Sequence, residues 1–238
     1  SHLTFFEMMG NFSFNYPEGG KSYFKKEAIN LGYEFITEEL KIPLERIKVS
    51  VFKGDPEVPF DEESFNIWKE LGIADEKIIF GSRENNFWGP TGDKGPCGPT
   101  TEIYIDDLEI WNIVFNEYYC EPKEKGHEKH LIPLARKGVD TGMGFERLAL
   151  ILQKAKNVYQ TDLFIPLISE IRGKNFYDIG TNEKFERIIA DHIKAAVFII
   201  LEGVVASNKE RGYILRRLLR RTVLYNKKLG LPEDIYER

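Results

Sequence analysis

The chain has 238 residues, with 33 Lys and Arg against 38 Asp and Glu, a formal net charge of −5. Its 42% apolar content supports a sizeable core, and the length suits one large domain or one domain plus part of another. The acidic balance excludes a surface that binds nucleic acid everywhere, and the longest apolar run, Ala195 to Leu201, is too short to span a bilayer.

The first predicted element is a strand within His2 to Phe14, entered abruptly from Ser1 with no leading segment. Ser22 is positioned to cap a helix running to about Leu40, with Phe24, Ala28, Leu31 and Phe35 as its apolar stripe; Pro43 ends it. Ile47, Val49 and Val51 alternate as a short strand. Asp61 caps a helix carrying Phe65, Trp68 and Leu71, which Gly72 terminates. Lys77 to Phe80 reads as another strand, and the Gly- and Pro-rich stretch from Ser82 to Pro99 as a loop. Strands from Glu102 to Ile105 and from Glu109 to Tyr118 follow, then a charged hairpin tip from Glu121 to Lys129, then a strand ending at Asp140. Strands joined by hairpins with interspersed helices predict an α+β fold with a mainly antiparallel sheet.

Beyond Asp140, two glycines, Gly142 and Gly144, predict a strand-to-helix turn whose bare backbone a ligand can approach closely. The helix after it runs from Phe145 to about Lys154. Arg147 in its first turn is unfavourable to the helix dipole, so an anionic partner is expected there. Asp140, at the strand end, is suited to face a cation. A second unit begins near Thr161: Asn182 caps a long helix from Glu183 to Glu202, stopped by Gly203, and a further helix spans Arg211 to Lys228. On that last helix Arg216, Arg217, Arg220 and Arg221 fall within roughly 140° of arc, opposite Leu215, Leu218, Leu219 and Val223. Such a face suits either a phosphate backbone or plain solvation. Cys97 and Cys120 are the only cysteines, and no His or Cys cluster has zinc-ligand spacing; His127 and His130 in GHEKH read as a solvated turn. No signal peptide is read, which makes a reducing cytoplasm the expected setting.

The run VDTGMGFERLALILQ (139–153) resembles motif three of class II aminoacyl-tRNA synthetases, in the form found in the alanyl-tRNA synthetase family. Four more blocks agree, in the family's order. HLTFFEMMGNFSF (2–14) resembles the second strand of motif two, and NNFWGPTGDKGPCGPTTEIY (85–104) the glycine-rich active-site loop. EIWNIVF (109–115) resembles the strand before motif three, and the segment 186–221 the start of the tRNA-recognition region.

The resemblance implies the class II antiparallel sheet flanked by helices, a catalytic core over 1–160 and a helical start of the tRNA-recognition region over 161–238. It also implies that motif one and the first arm of motif two precede this stretch and that further domains follow it, so the chain alone is expected to be poorly active. The implied reaction is activation of alanine by ATP to alanyl-adenylate, then transfer to the end of alanine tRNA. Arg147 matches the arginine on the γ-phosphate, and Gly144 and Gly142 the positions where adenine and alanine lie against the backbone. Asp140 matches the carboxylate that holds the alanine ammonium. Trp88 and Val114 match residues around its methyl group, with Asn112 a polar neighbour. Glu7 and Phe14 are expected near ATP, Phe14 stacking near adenine. Glu109 is the expected Mg²⁺ ligand, since hard carboxylate oxygen suits that ion near phosphates. Asn208 matches an asparagine that reads a G·U pair in the acceptor stem; otherwise it is an ordinary loop residue or cap. A non-catalytic RNA-binding relative and an enzyme loading a carrier protein are the competing readings. The basic helix and Asn208 argue against the carrier-protein reading.

Overall fold

The computed structural model describes residues 2–18, 20–90, 92–122, 129–173 and 183–231. Two compact units emerge from packing: Met8–Leu148, which contains the sheet, and Ser1–Glu7 with Ala149–Arg238, which is helical. Packing thus divides the chain at 148/149, inside the helix that follows the last strand.

The sheet unit opens with two short strands, β1 (Met8–Met9) and β2 (Phe12–Tyr16), where the sequence suggests a single strand. Helix α1 (Lys25–Glu34) starts at Phe24 without a side-chain cap, and the Ser22 hydroxyl is buried with no partner, so Ser22 is not its cap. Its buried stripe is Lys25, Ala28, Ile29 and Gly32, whereas Leu31 is exposed. Gly32 explains the rotation: a Cβ there would sit 3.4 Å from Ile113 Cδ1, so the helix lies against the sheet at its glycine. Lys25 tolerates burial because Asp61 and Glu117 flank its ammonium at 2.8 and 2.5 Å. Burial alone would lower the Lys25 pKa, but the two carboxylates outweigh it and raise it. Breaking such a pair by removing one partner typically costs ~3–5 kcal/mol.

Strand β3 (Ile47–Phe52) and helix α2 (Glu62–Glu70) follow, and Asp61 caps α2 as expected, accepting from Ser64 N–H at 3.2 Å. Strand β4 (Ile78–Gly81) pairs parallel to β3, the one parallel pairing among the described residues. The expected loop from Ser82 to Pro99 instead contains helix α3 (Arg83–Asn86), strand β5 (Phe87–Trp88) and the start of β6 (Gly95–Ile105). Strands β7 (Leu108–Pro122) and β8 (Lys129–Gly144) complete the sheet, whose described order is β1-β8-β7-β6-β3-β4 with β2 also on β8 and β5 on β6. Residues 123–128 of the hairpin tip, including His127, lie outside the described residues, whereas Glu121, Pro122, Lys129 and His130, expected in the turn, pair with one another in β7 and β8. Helix α4 (Phe145–Leu152) begins directly after β8.

The sheet's α1-facing side is apolar: Phe24 packs edge-on to Phe115, and Trp111 meets Phe35 in the same way. Trp68 of α2 adds a hydrogen bond from its indole N–H to Thr101 Oγ1 at 2.8 Å. With that side occupied, strand alternation turns Glu102, Asn112, Val114, Asp140 and Gly142 to the other side.

The helical unit packs α5 (Ile165–Arg172), α6 (Glu183–Leu201) and α7 (Glu210–Leu229) around Phe164, Ile168, Ile171, Ile189 and Ala190. The Asn182 cap lies outside the described residues. Helix α7 buries Gly212, Leu215, Leu218, Thr222 and Asn226, while Leu219 and Val223, expected on the buried side, are exposed. The buried stripe is narrow enough to admit Gly212, Thr222 and Asn226. No described helix is long and apolar enough to cross a membrane.

Candidate active site

The candidate site is built on one face of the sheet by register. Across β7 and β8, Asn112 opposes Gly142 and Val114 opposes Asp140; across β6 and β7, Glu102 opposes Asn112 and Thr100 opposes Val114. Phe12 of β2 opposes Asp140 from the other flank of β8. Directly opposed residues share a face, so these side chains form one contiguous patch. Phe14, two residues beyond Phe12, is exposed, and its ring edge lies 3.8 Å from where a Cβ on Gly138 would stand.

Asp140 is half-buried, and its carboxylate has no hydrogen-bond or ion-pair partner among the described residues; burial alone raises its pKa. A carboxylate kept partly from water without a partner is a strong acceptor for a ligand cation.

Gly142 and Gly144 lie within β8 rather than in a turn: Gly142 pairs with Asn112 of β7, and Met8 and Met9 extend the ladder by pairing with Gly144 and Met143. Met8 also lies over Gly142: a Cβ there would meet its sulfur at 2.7 Å. The close approach foreseen at Gly142 is thus made by a flexible thioether of the chain itself.

Arg147, in the first turn of α4, reaches back to β7. Its Nη1 donates to the Glu109 carbonyl at 2.7 Å and to the Glu109 carboxylate at 3.1 Å. Glu109 thus gives Arg147 an anionic partner within the chain, while its other guanidinium nitrogens have no described partner.

Four residues that the sequence reading passed over support this patch. The Glu102 carboxylate, buried in the sheet face, accepts from Ser50 Oγ at 2.9 Å and Tyr104 O–H at 2.5 Å through Oε2, and from Asn112 Nδ2 at 3.1 Å through Oε1. Asn86 Nδ2 donates to Ser50 Oγ at 2.6 Å and to the Thr100 carbonyl at 3.2 Å. Burial raises the Glu102 pKa, the nearby Glu109 charge adds to it, and the hydroxyl bonds and Arg147 oppose it. Tyr104 is pushed up by burial and by Glu102, so it keeps its proton and donates. A signal was present: Ile103 and Ile105 face the core, so alternation puts Glu102 and Tyr104 on the site face.

Trp88 opposes Gly98 and is partly exposed on the segment that Asn86 fastens to Thr100. Only glycine fits at position 98, where a Cβ would stand 1.8 Å from the Phe115 carbonyl oxygen. Asp55 grips Arg83 at the start of this segment at 2.5 and 2.9 Å, and Arg83 stacks on Phe87 at 4.5 Å.

The remaining expected residues are elsewhere. Glu7 falls in the helical unit, 3.4 Å from Lys194. Asn208 is exposed in the connection before α7; the residue at the cap position is Lys209, so Asn208 does not cap that helix. Arg216, Arg217, Arg220 and Arg221 are all exposed along α7. Among the described residues no group of three or more His, Cys, Asp or Glu is placed to hold a metal by itself.

Comparison with known proteins agrees with this architecture. The model of the family tRNA synthetases class II (A) matches residues 1–238, and the chain belongs to that family. It is similar to the alanine–tRNA ligase of Borreliella afzelii, 44% identical over 97% of this chain and 41% of that protein. The alanine–tRNA ligase of Treponema denticola is 43% identical over 97% of this chain and 41% of its own length. That of Rubrobacter xylanophilus is 42% identical over 93% of this chain and 27% of its own length. The chain thus spans less than half the length of these relatives.

Proposed function

We propose that the protein carrying this chain is an alanine–tRNA ligase of the cytoplasm, which joins alanine to ATP and passes the alanyl group to the 3′ end of alanine tRNA. The observation that carries this reading is an unpartnered, half-buried carboxylate, Asp140, on a sheet face shared with Asn112, Val114 and Gly142, in a chain 42–44% identical to alanine–tRNA ligases.

In the proposed first step an alanine carboxylate oxygen attacks the α-phosphorus of ATP and pyrophosphate leaves with the electron pair. Positioning and charge neutralisation supply most of the catalysis in such a step. Asp140 holds the ammonium, Val114 and Trp88 bound the small side chain, Phe14 stacks near adenine, and Gly144 leaves backbone for ATP to approach. Arg147 keeps one nitrogen on Glu109 and turns the rest of its fork to the γ-phosphate.

Glu109 fits a Mg²⁺ ion bound together with phosphates, because only its Oε2 is engaged by Arg147. Bound there, the ion would neutralise phosphate charge. On the RNA side, Arg216, Arg217, Arg220 and Arg221 contact the acceptor-stem backbone and Asn208 reads its G·U pair. The catalytic role is assigned to 1–160 and the RNA-reading role to 161–238.

Amino-acid-dependent exchange of pyrophosphate into ATP tests the reading. Alanine should support exchange far better than larger amino acids, and glycine or serine less strongly excluded, since one small group is worth only ~1–3 kcal/mol. Exchange with a different amino acid, and none with alanine, would reject it.

A further inference from the structure

Asn112 is satisfied at one end only. Its Nδ2 donates to Glu102 Oε1, while its Oδ1 is buried without a hydrogen-bond partner. An amide can be turned end for end at little steric cost, so its orientation has to be imposed by a neighbour.

Glu102 imposes it. Ser50 Oγ already accepts a hydrogen from Asn86, so its own proton is directed to Glu102, and Tyr104 donates to the same oxygen. With both hydroxyls donating, Glu102 meets Asn112 as an acceptor, and only the NH₂ end of the amide can face it. Glu102 stands on the β6 side of Asn112 and Gly142 on the β8 side. Fixing the nitrogen toward β6 therefore turns the carbonyl oxygen toward β8.

On β8 the register makes Asp140 the diagonal neighbour of Asn112, with Gly142 directly opposite. Diagonal pairs on one face are roughly 7–8 Å apart, a gap that a small group between two side chains can bridge. An ammonium carries three N–H donors and prefers more than one acceptor around it; an NH₂ end turned into the same space would oppose it.

We propose that Glu102 is a positioning residue that locks the Asn112 amide with its oxygen toward Asp140, so that the substrate's ammonium meets two acceptors, one charged and one neutral. This rests on the reading of the face as an amino-acid site. Glu102 itself need not touch the substrate. It acts through Asn112.

Glu102→Gln, in the protein that carries this chain, preserves size but offers Asn112 either an oxygen or an NH₂, so the amide orientation is no longer imposed. In pyrophosphate exchange the alanine KM should rise about tenfold to a hundredfold, as for a lost hydrogen bond to a charged group, with the ATP KM unchanged. Asn112→Ala should raise the alanine KM similarly, and adding Glu102→Gln to it should cost nothing more, because residues acting through one contact are not additive. An unchanged alanine KM, equal rises for alanine and ATP, or full additivity with Asn112→Ala would each overturn the proposal. Should Glu102→Gln fail to give a cooperative thermal transition, Tyr104→Phe replaces it, removing one donor from Glu102. It is expected to raise the alanine KM about two- to tenfold with the ATP KM unchanged, and no rise overturns the proposal. Exchange by the unmodified protein with a different amino acid rejects the alanine reading alone, and the variants are then measured with that amino acid. No exchange with any amino acid overturns both.

Discussion

Arg147 and Glu109 are joined twice: one guanidinium nitrogen donates to the Glu109 carbonyl at 2.7 Å and to its carboxylate at 3.1 Å. The contact offsets an unfavourable cation at the positive end of α4 and pins that end to β7. It also leaves the other guanidinium nitrogens without a described partner.

Replacing Arg147 by Lys should therefore do more than its retained charge suggests. A lysine cannot hold Glu109 and a phosphate in one planar fork, and the exchange rate should fall about 10²-fold or more. Glu109→Gln keeps the carbonyl bond to Arg147 and should be milder for ATP, but should raise the Mg²⁺ concentration giving half-maximal rate. A Mg²⁺ titration identical to that of the unmodified protein would remove Glu109 from the ion.

Asp140→Asn is nearly isosteric and breaks no hydrogen bond or ion pair made to the Asp140 carboxylate by a described residue, so the fold should stay intact. The ammonium loses its charged partner. The alanine KM should rise about tenfold to a hundredfold in pyrophosphate exchange, as for loss of a charge-assisted hydrogen bond. An unchanged KM and rate would remove Asp140 from the pocket.

The Asp55–Arg83 pair makes the segment bearing Trp88 sensitive to acid. Hydrogen bonds from Arg83 lead the causes that hold the Asp55 pKa down from 3.8 to about 2. The folded value lies below the unfolded one, so the contribution to stability is present above about pH 4 and is lost as pH falls through about 2. Arg83 is 36% exposed, and solvent screening reduces the pair to about 1 kcal/mol. Asp55→Asn should lower the urea midpoint at pH 7, and the difference from the unmodified protein should vanish near pH 2. A difference constant from pH 7 to pH 2 would show that the ion pair contributes nothing.

The proposed function implies two kinds of RNA contact on the helical unit. Arg216→Ala with Arg220→Ala should weaken binding to alanine tRNA and to other tRNAs alike and flatten the salt dependence, since phosphate contacts carry little sequence information. Asn208→Ala should instead cost ~1–3 kcal/mol of discrimination between G·U and G·C in the acceptor stem. Aminoacylation of paired minihelices distinguishes them; an equal loss on both stems would make Asn208 a plain loop residue.

Some of this protein was written locally and could be read directly. Asp61 before Glu62–Glu70 with Gly72 behind it, and the four arginines of α7, belong to patterns completed within a few turns of one helix, where capping and spacing set the energy. The Val139–Arg147 run could be singled out because its unusual residues are consecutive. The rest waited on pairing between distant segments. Gly142 and Gly144 look like a turn until Asn112 pairs with Gly142 and Met8, over 130 residues earlier, pairs with Gly144. Leu31 fits an apolar stripe as well as Gly32 until Ile113 shows which one the sheet receives. Glu102 could be assigned to a face by alternation, but its partners Ser50 and Asn112 come from two other strands, and a one-residue slip in either would send them to the opposite side. Helical periodicity and caps are paid out within a few residues of sequence; strand register is decided only when the whole sheet closes over its core.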